Sequence, residues 1–262
     1  MENMTGILNV ASMESGILHL SLNRPEQHNA LSQALLQKLS ETLTDVKQDS
    51  SIKAILLTGE GKGFCAGADI KQLAGLNGAK GLAFATFGQA VFNQLSNLGK
   101  PSLAAIQGFA FGGGCELAMA ATLRLAADDA VLGQPEIKLG VMPGFGGTQR
   151  LARLIGKGRA LEVCLTGRRV SALEALHWGL LNEVTSPDAL IPRAKALLQA
   201  LTQLGAVALQ SIMTTIEQGY DQDLTSALAL EAAAFGVCCT TSDKQEGVNA
   251  FIEKRAAVFN GE

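Results

Sequence analysis

The sequence predicts an α/β protein whose carboxy-terminal part is wholly helical, and three observations carry that prediction. A unit of strand, glycine-rich loop and helix occurs twice, around residues 52–71 and again around 101–123. Two short alternating apolar segments precede the first unit. From residue 187 onward the apolar spacing is helical and strand-like runs stop, so the chain divides into a core, 1–186, and a helical region, 187–262. A chain of 262 residues, 47% hydrophobic and only 17% charged, suits one domain with a helical appendage and buries a sizeable core.

Taken in order, residues 6–13 and 16–22 alternate on either side of Glu14-Ser15 and read as a β-hairpin. After the loop NRPEQHNALS, Leu31, Leu35, Leu39, Leu43 and Val46 give an amphipathic helix over 29–46. Residues 52–58 form a leucine and β-branched run ending at Gly59, the pattern of a buried strand. Gly59, Gly61, Gly63 and Gly67 are too dense for a helix, and a helix-like segment starts after Ala68. That loop lacks both the Gly-Lys-Ser/Thr ending of a Walker loop and the G-x-G-x-x-G order of a dinucleotide site. Residues 71–99, rich in Gly, Ala and Asn, read as a mobile segment over the site. A strand-like run over 101–110 leads to Gly112, Gly113 and Gly114 and then to a helix over 115–123. Residues 130–133 are a strand and 149–155 a helix. The stretch 166–184 reads as turn, helix and short strand, and helices follow over 190–204, 206–218, 224–235 and 244–259.

Composition excludes several functions. The net charge of −3 and the scattered lysines and arginines leave no basic patch for nucleic acid. No apolar run approaches the roughly 20 residues that span a membrane. The five cysteines show no metal-ligand spacing and point to a reducing compartment. The amino terminus looks like neither a secretory signal nor a transit peptide, so a cytoplasmic protein is expected. Cys65 and Cys115 lie beside the glycine loops, but none of the three histidines sits in a site-like segment, which favours packing over a Cys/His nucleophile.

Chemistry concentrates in residues 108–150. The glycine triplet between a strand and a helix leaves backbone N–H groups free to meet a ligand. Glu116 sits in the first helical turn, where the helix dipole favours a carboxylate. Glu136 follows Gln134-Pro135 in a loop. Two carboxyl groups brought together from different loops divide acid and base roles when their surroundings push their pKa values apart.

The segments CAGADI, GGGCELA and GQPEIKLGVMPGFGGTQRL resemble the signature region of the enoyl-CoA hydratase/isomerase (crotonase) superfamily, its hydratases in particular, and the resemblance runs over almost the whole chain. It implies the crotonase fold, a spiral of β-β-α units with a carboxy-terminal helical region that packs over the site and assembles trimers or dimers of trimers. It implies that Glu116 and Glu136 are the catalytic carboxylates and that the backbone N–H groups of Ala68 and Gly113 form an oxyanion hole. By the same resemblance Ala66, Asp69, Ile70 and Lys71 line coenzyme A, the loop holding Arg24 and Pro25 lies near its phosphates, and Lys254 and Phe259 reach a neighbouring subunit's ligand. The implied activity is reversible syn addition of water to a 2-enoyl-CoA, as in fatty-acid β-oxidation, with no metal or redox cofactor. A Δ3-Δ2-enoyl-CoA isomerase, which needs one carboxylate, and a non-catalytic acyl-CoA- or RNA-binding scaffold are the alternatives. Read structurally, Ala66 and Ala68 are small for packing, Asp69 is a first-turn residue, Arg24 and Pro25 shape their loop, and Arg168 and Arg169 form a solvated or interface face. Phe145 stands where the family usually has a small residue, so it either narrows the acyl pocket or packs against it.

Overall fold

A computed structural model describes residues 6–261. Its strands make two sheets. The larger has the order β1 (Leu8–Ser12), β2 (Ile17–Leu22), β3 (Ala54–Gly59), β4 (Ser102–Ile106), β6 (Leu123–Ala127), β9 (Glu183–Thr185), and the smaller has the order β5 (Phe109–Phe111), β7 (Val131–Gly133), β8 (Arg169–Ser171). The expected hairpin is present, with Leu8 opposite Leu22 in an antiparallel pair, and every other pairing in the large sheet is parallel. Every residue of β3 and β4 is buried, as their unbroken apolar runs require for strands covered on both faces.

The strand-like run over 101–110 is two strands in different sheets. Gly108, at φ +59°, turns the chain from β4 into β5, and a side chain there would overlap the Lys62 carbonyl. This step repeats. β4, β5 and α4 (Gly113–Ala120) make one turn of a spiral, and β6, β7 and α5 (Gly147–Ile155) make the next.

Several local readings are corrected. α1 (Gln33–Gln48) starts four residues late, because Leu31 pairs with Ala68 and Ser32 caps the helix, accepting from the Leu35 amide at 3.2 Å. The segment over 71–99 is largely helical: after the short α2 (Ile70–Leu73), α3 (Gly78–Ser96) is a continuous helix that buries Gly88, Val91, Phe92 and Leu95. The helix over 115–123 stops at Ala120 and gives way to β6. No glycine or proline marks that stop. It is held by Arg124, only 7% exposed, which donates to the carbonyls of Ala121 and Leu180 at 2.8 and 2.7 Å. β8, three residues long, carries no period that a sequence can display.

Beyond α6 (Lys157–Thr166) and α7 (Ala172–His177), the helical region begins with α8 (Pro187–Thr202), which lays Leu190, Ala194 and Leu198 against the large sheet and is part of the core. α9 (Ala206–Gly219) and α10 (Leu224–Cys239) pack on each other and bury no residue fully. The last helix, α11 (Ser242–Glu253), ends before the expected residue 259, at Lys254 in a left-handed conformation. From there the chain turns back until the Asn260 and Gly261 amides donate to Asp243. Among the described residues, no single helix is long and apolar enough to cross a membrane.

Candidate active site

The geometry of the site begins with Gly112. Its φ of +51° and ψ of −124° fit no ordinary side chain, and a β-carbon there would sit 2.5 Å from a Glu136 oxygen. Gly112 thereby lets Glu136 lie directly on the start of α4. One turn into that helix, Glu116 is 1% exposed, and its Oε1 accepts from the backbone amides of Phe145 at 2.8 Å and Gly147 at 2.5 Å. Gly147 is glycine for the same reason as Gly112, since a β-carbon would fall 2.8 Å from Glu116 Oε1 and 2.9 Å from the Gln134 side-chain amide.

Glu136 opens a single 3-10 turn, Glu136–Leu139, after β7 and is half-buried. Gln134 is fully buried beside it. In the orientation that satisfies its neighbours, the Gln134 amide nitrogen donates to the two Glu136 oxygens at 3.1 and 3.2 Å. Burial pushes the Glu116 carboxyl up to about 8, and repulsion from Glu136 adds to the shift, while the Gly147 and Phe145 amides and the Arg150 charge oppose it. Burial likewise raises Glu136 to about 7. The site therefore holds two carboxyl groups raised toward neutral pH, Glu116 in part by the charge of Glu136.

The second glycine loop reaches the same place. Residues 65–68 are stitched on both sides, Cys65 pairing with Ala110 and Ala68 with Leu31. Gly67, at φ +105°, approaches so closely that a β-carbon would stand 2.9 Å from the Phe111 carbonyl and 3.4 Å from the Gly113 nitrogen. The Ala68 and Gly113 amides thus neighbour each other, and among the described residues neither donates to a protein acceptor.

Other expected residues divide between the two readings offered for them. Asp69 caps α2, accepting from the Lys71 amide at 3.1 Å, and pairs with the buried Arg24 at 2.9 Å; Arg24 also donates to the Ala30 carbonyl. Both therefore shape loops, as does Ala66, whose amide donates to the His28 carbonyl at 2.9 Å. Ile70 and Lys71 are exposed on the surface, as is Lys254, whereas Phe259 rests on Gly247. Arg168 is bound to Glu162 and Glu174 and lies over Trp178. Phe145 is packed: its ring, 3% exposed, meets Phe84 and Phe92 of α3 edge-on at 5.1 and 5.6 Å and lies against Gly88 and Gly113. Cys65 and Cys115, their thiols pushed up to about 12 by burial, are not nucleophiles at neutral pH.

Sequence reasoning gave no separate role to Gln134 or Arg150. For Gln134 a signal exists, a polar amide closing an apolar strand just before Pro-Glu. For Arg150 there is none.

Residues 12–262 match the enoyl-CoA hydratase/isomerase family. A short-chain-enoyl-CoA hydratase of Clostridium acetobutylicum is 41% identical over 247 residues, covering 94% of this chain and 95% of that protein. A crotonyl-CoA hydratase of Syntrophomonas wolfei is 40% identical over 251 residues, covering 95% and 96%. The crystal structure of an enoyl-CoA hydratase from Bacillus anthracis superimposes with a TM-score of 0.94 at 38% identity, over 98% of this chain and all of that one.

Proposed function

The chain belongs to the enoyl-CoA hydratase/isomerase family and has the crotonase fold, and from that premise we propose that it is an enoyl-CoA hydratase, adding water across the 2,3 double bond of a 2-enoyl-CoA to give a 3-hydroxyacyl-CoA. The observation that carries this reading is the meeting of two near-neutral carboxyl groups, Glu116 and Glu136, beside the paired free amides of Ala68 and Gly113.

In this mechanism the thioester carbonyl oxygen accepts from the Ala68 and Gly113 N–H groups, which makes C3 electrophilic. Water between the carboxyl groups loses a proton to one carboxylate as its oxygen bonds to C3, and the electron pair of the double bond moves toward the carbonyl. The other carboxyl group delivers its proton to C2 on the same face, so the elements of water are added syn. The negative charge on the thioester oxygen develops only as the new bond forms, so the two amides lower the barrier rather than merely tighten binding. Loss of one such donor typically costs about 3 kcal/mol. One proton shared by the pair is the working state, and activity is expected to be greatest between the two carboxyl values, near 7 and 8, and to fall on either side. In this reading the exposed Ile70 and Lys71 meet coenzyme A, and Ala66 and Asp69, expected to line it as well, hold their loop. The chemistry calls for no metal or redox group. Assembly into trimers and a cytoplasmic location belong to the same reading, supported by the uncovered apolar helices α9–α11 and by five unpaired cysteines.

The test is loss of the conjugated-thioester absorbance of crotonyl-CoA. Wild type is expected to turn over, with Glu116→Gln and Glu136→Gln each slower by about a hundredfold or more. Hydration that survives loss of one glutamate overturns the two-carboxylate mechanism, and a 3-enoyl-CoA converted without hydration identifies an isomerase.

A further inference from the structure

The turn that holds Glu116 has a second edge. Phe145 donates its amide to Glu116, and its carbonyl accepts from Arg150 Nη1 at 3.3 Å. The other arm of that guanidinium, Nη2, donates to Asn93 Oδ1 of α3 at 2.6 Å. Arg150 stands in the first turns of α5, its own amide bonded to the Gly146 carbonyl at 2.8 Å. Gly146 has φ +110°, a conformation that favours glycine, and a side chain there would meet the guanidinium. Arg150 lines a cavity of about 700 Å³ between α3, α5 and α9, together with Asn93, Gln149, Arg153, Glu217 and Tyr220. It is absent from the pair of amides and from the contacts of Glu136.

We propose that Arg150 is a positioning residue for Glu116: it braces the Phe145 carbonyl against α3 and so keeps residues 145–147 in the register that aims two amides at one carboxylate oxygen. A planar fork with two separated donors is needed to tie a loop carbonyl to a helix side chain, and lysine supplies only a point charge. The charged and titratable neighbours are few. Glu136, Cys115, Cys164 of α6 and Arg150 act on Glu116 or lie beside it, and Glu217 of α9, Glu116 and Arg153 act on Arg150. Arg150 thus combines a mechanical tie with a favourable charge on the ionised form of Glu116.

The test compares Arg150→Gln, Arg150→Lys and, as a control on the same cavity, Arg153→Gln. It rests on the hydratase reading for its kinetic arm, and a second arm needs no turnover: the infrared C=O stretch of protonated Glu116, assigned by its loss in Glu116→Gln and followed against pH. In Arg150→Gln, kcat for crotonyl-CoA falls roughly tenfold to a hundredfold, with KM within about twofold of wild type. The limb of the pH profile set by Glu116 moves to higher pH, and the protonated band persists to higher pH. Arg150→Lys restores the limb, because the charge remains, but not the full kcat, because the fork is lost. Arg153→Gln changes neither. A wild-type kcat and an unmoved band in Arg150→Gln overturn the proposal, as does a rate loss matched by loss of folded protein with the limb in place. Should Arg150→Gln not fold, Arg150→Lys decides: lowered kcat at unchanged KM supports the brace, and wild-type kcat overturns it. Failure of the wild type to hydrate crotonyl-CoA sinks the hydratase reading alone, and the infrared band still decides on Arg150.

Discussion

Glu116 shows what a buried carboxyl group costs the fold. Its ordinary value is 4.5 and its value in the folded chain is about 8, so between these limits the folded protein holds a proton that the unfolded chain has released. Unfolding is then favoured as pH rises through the window, and the penalty is complete above pH 8. Glu116→Gln keeps an oxygen to accept from Phe145 and Gly147 but cannot ionise. It is expected to be inactive yet more stable than wild type, with a melting temperature several degrees higher at about pH 8 and a smaller difference near pH 5; a pH series of thermal melts checks the widening gap. Both glutamates stand out in the sequence, Glu116 just after a glycine triplet and Glu136 directly after Pro135, while their roles rest on the family resemblance. Gln134, directly before Pro135-Glu136, carried a signal of its own; Arg150 did not, since its tie to Asn93 of α3 exists only once distant parts of the chain have met.

At the scale of elements, α3 is held by a fit between one missing side chain and one large ring. Gly88 leaves the space that Phe145 fills, and Phe84 and Phe92 close on the ring from either side. Phe145→Ala should destabilise by about 3–5 kcal/mol. Gly88→Ala forces its β-carbon into the ring and is also destabilising, but in the double variant the two losses should be far less than additive, as a denaturant-unfolding cycle will reveal. Strictly additive losses would mean that the two residues do not share this space. The same fit explains why the sequence does not announce a helix over 78–96. Its glycines and alanines depress helical signal locally, and the partner that makes Gly88 useful lies far along the chain. β5 was merged with β4 into one strand-like run, and β6 and β8 were not expected. The hairpin, β3 and the carboxy-terminal helices, whose patterns are local, were read correctly in kind, with errors at their ends.

For the whole molecule, the outstanding feature is apolar surface on α9–α11. Ile212 and Ile216 are 57% and 64% exposed, Phe235 is 70% and Phe251 is 85%. α10 is apolar nearly all round, yet no residue of it is fully buried, a combination that a lone soluble helix does not sustain. Sedimentation velocity is expected to give a mass above that of one chain, and Phe235→Glu with Phe251→Glu to lower it; a wild-type monomer would refute the assembly. The stitching of residues 65–68 has a different consequence. The loop is tied at one end to the strand run that begins at Phe109 and at the other to the stretch entering α1, so three distant parts of the chain must be home before Ala68 and Gly113 stand side by side. The paired amides are therefore a certificate of completed folding. A half-folded chain, still carrying both glutamates, has not yet brought these two amides together.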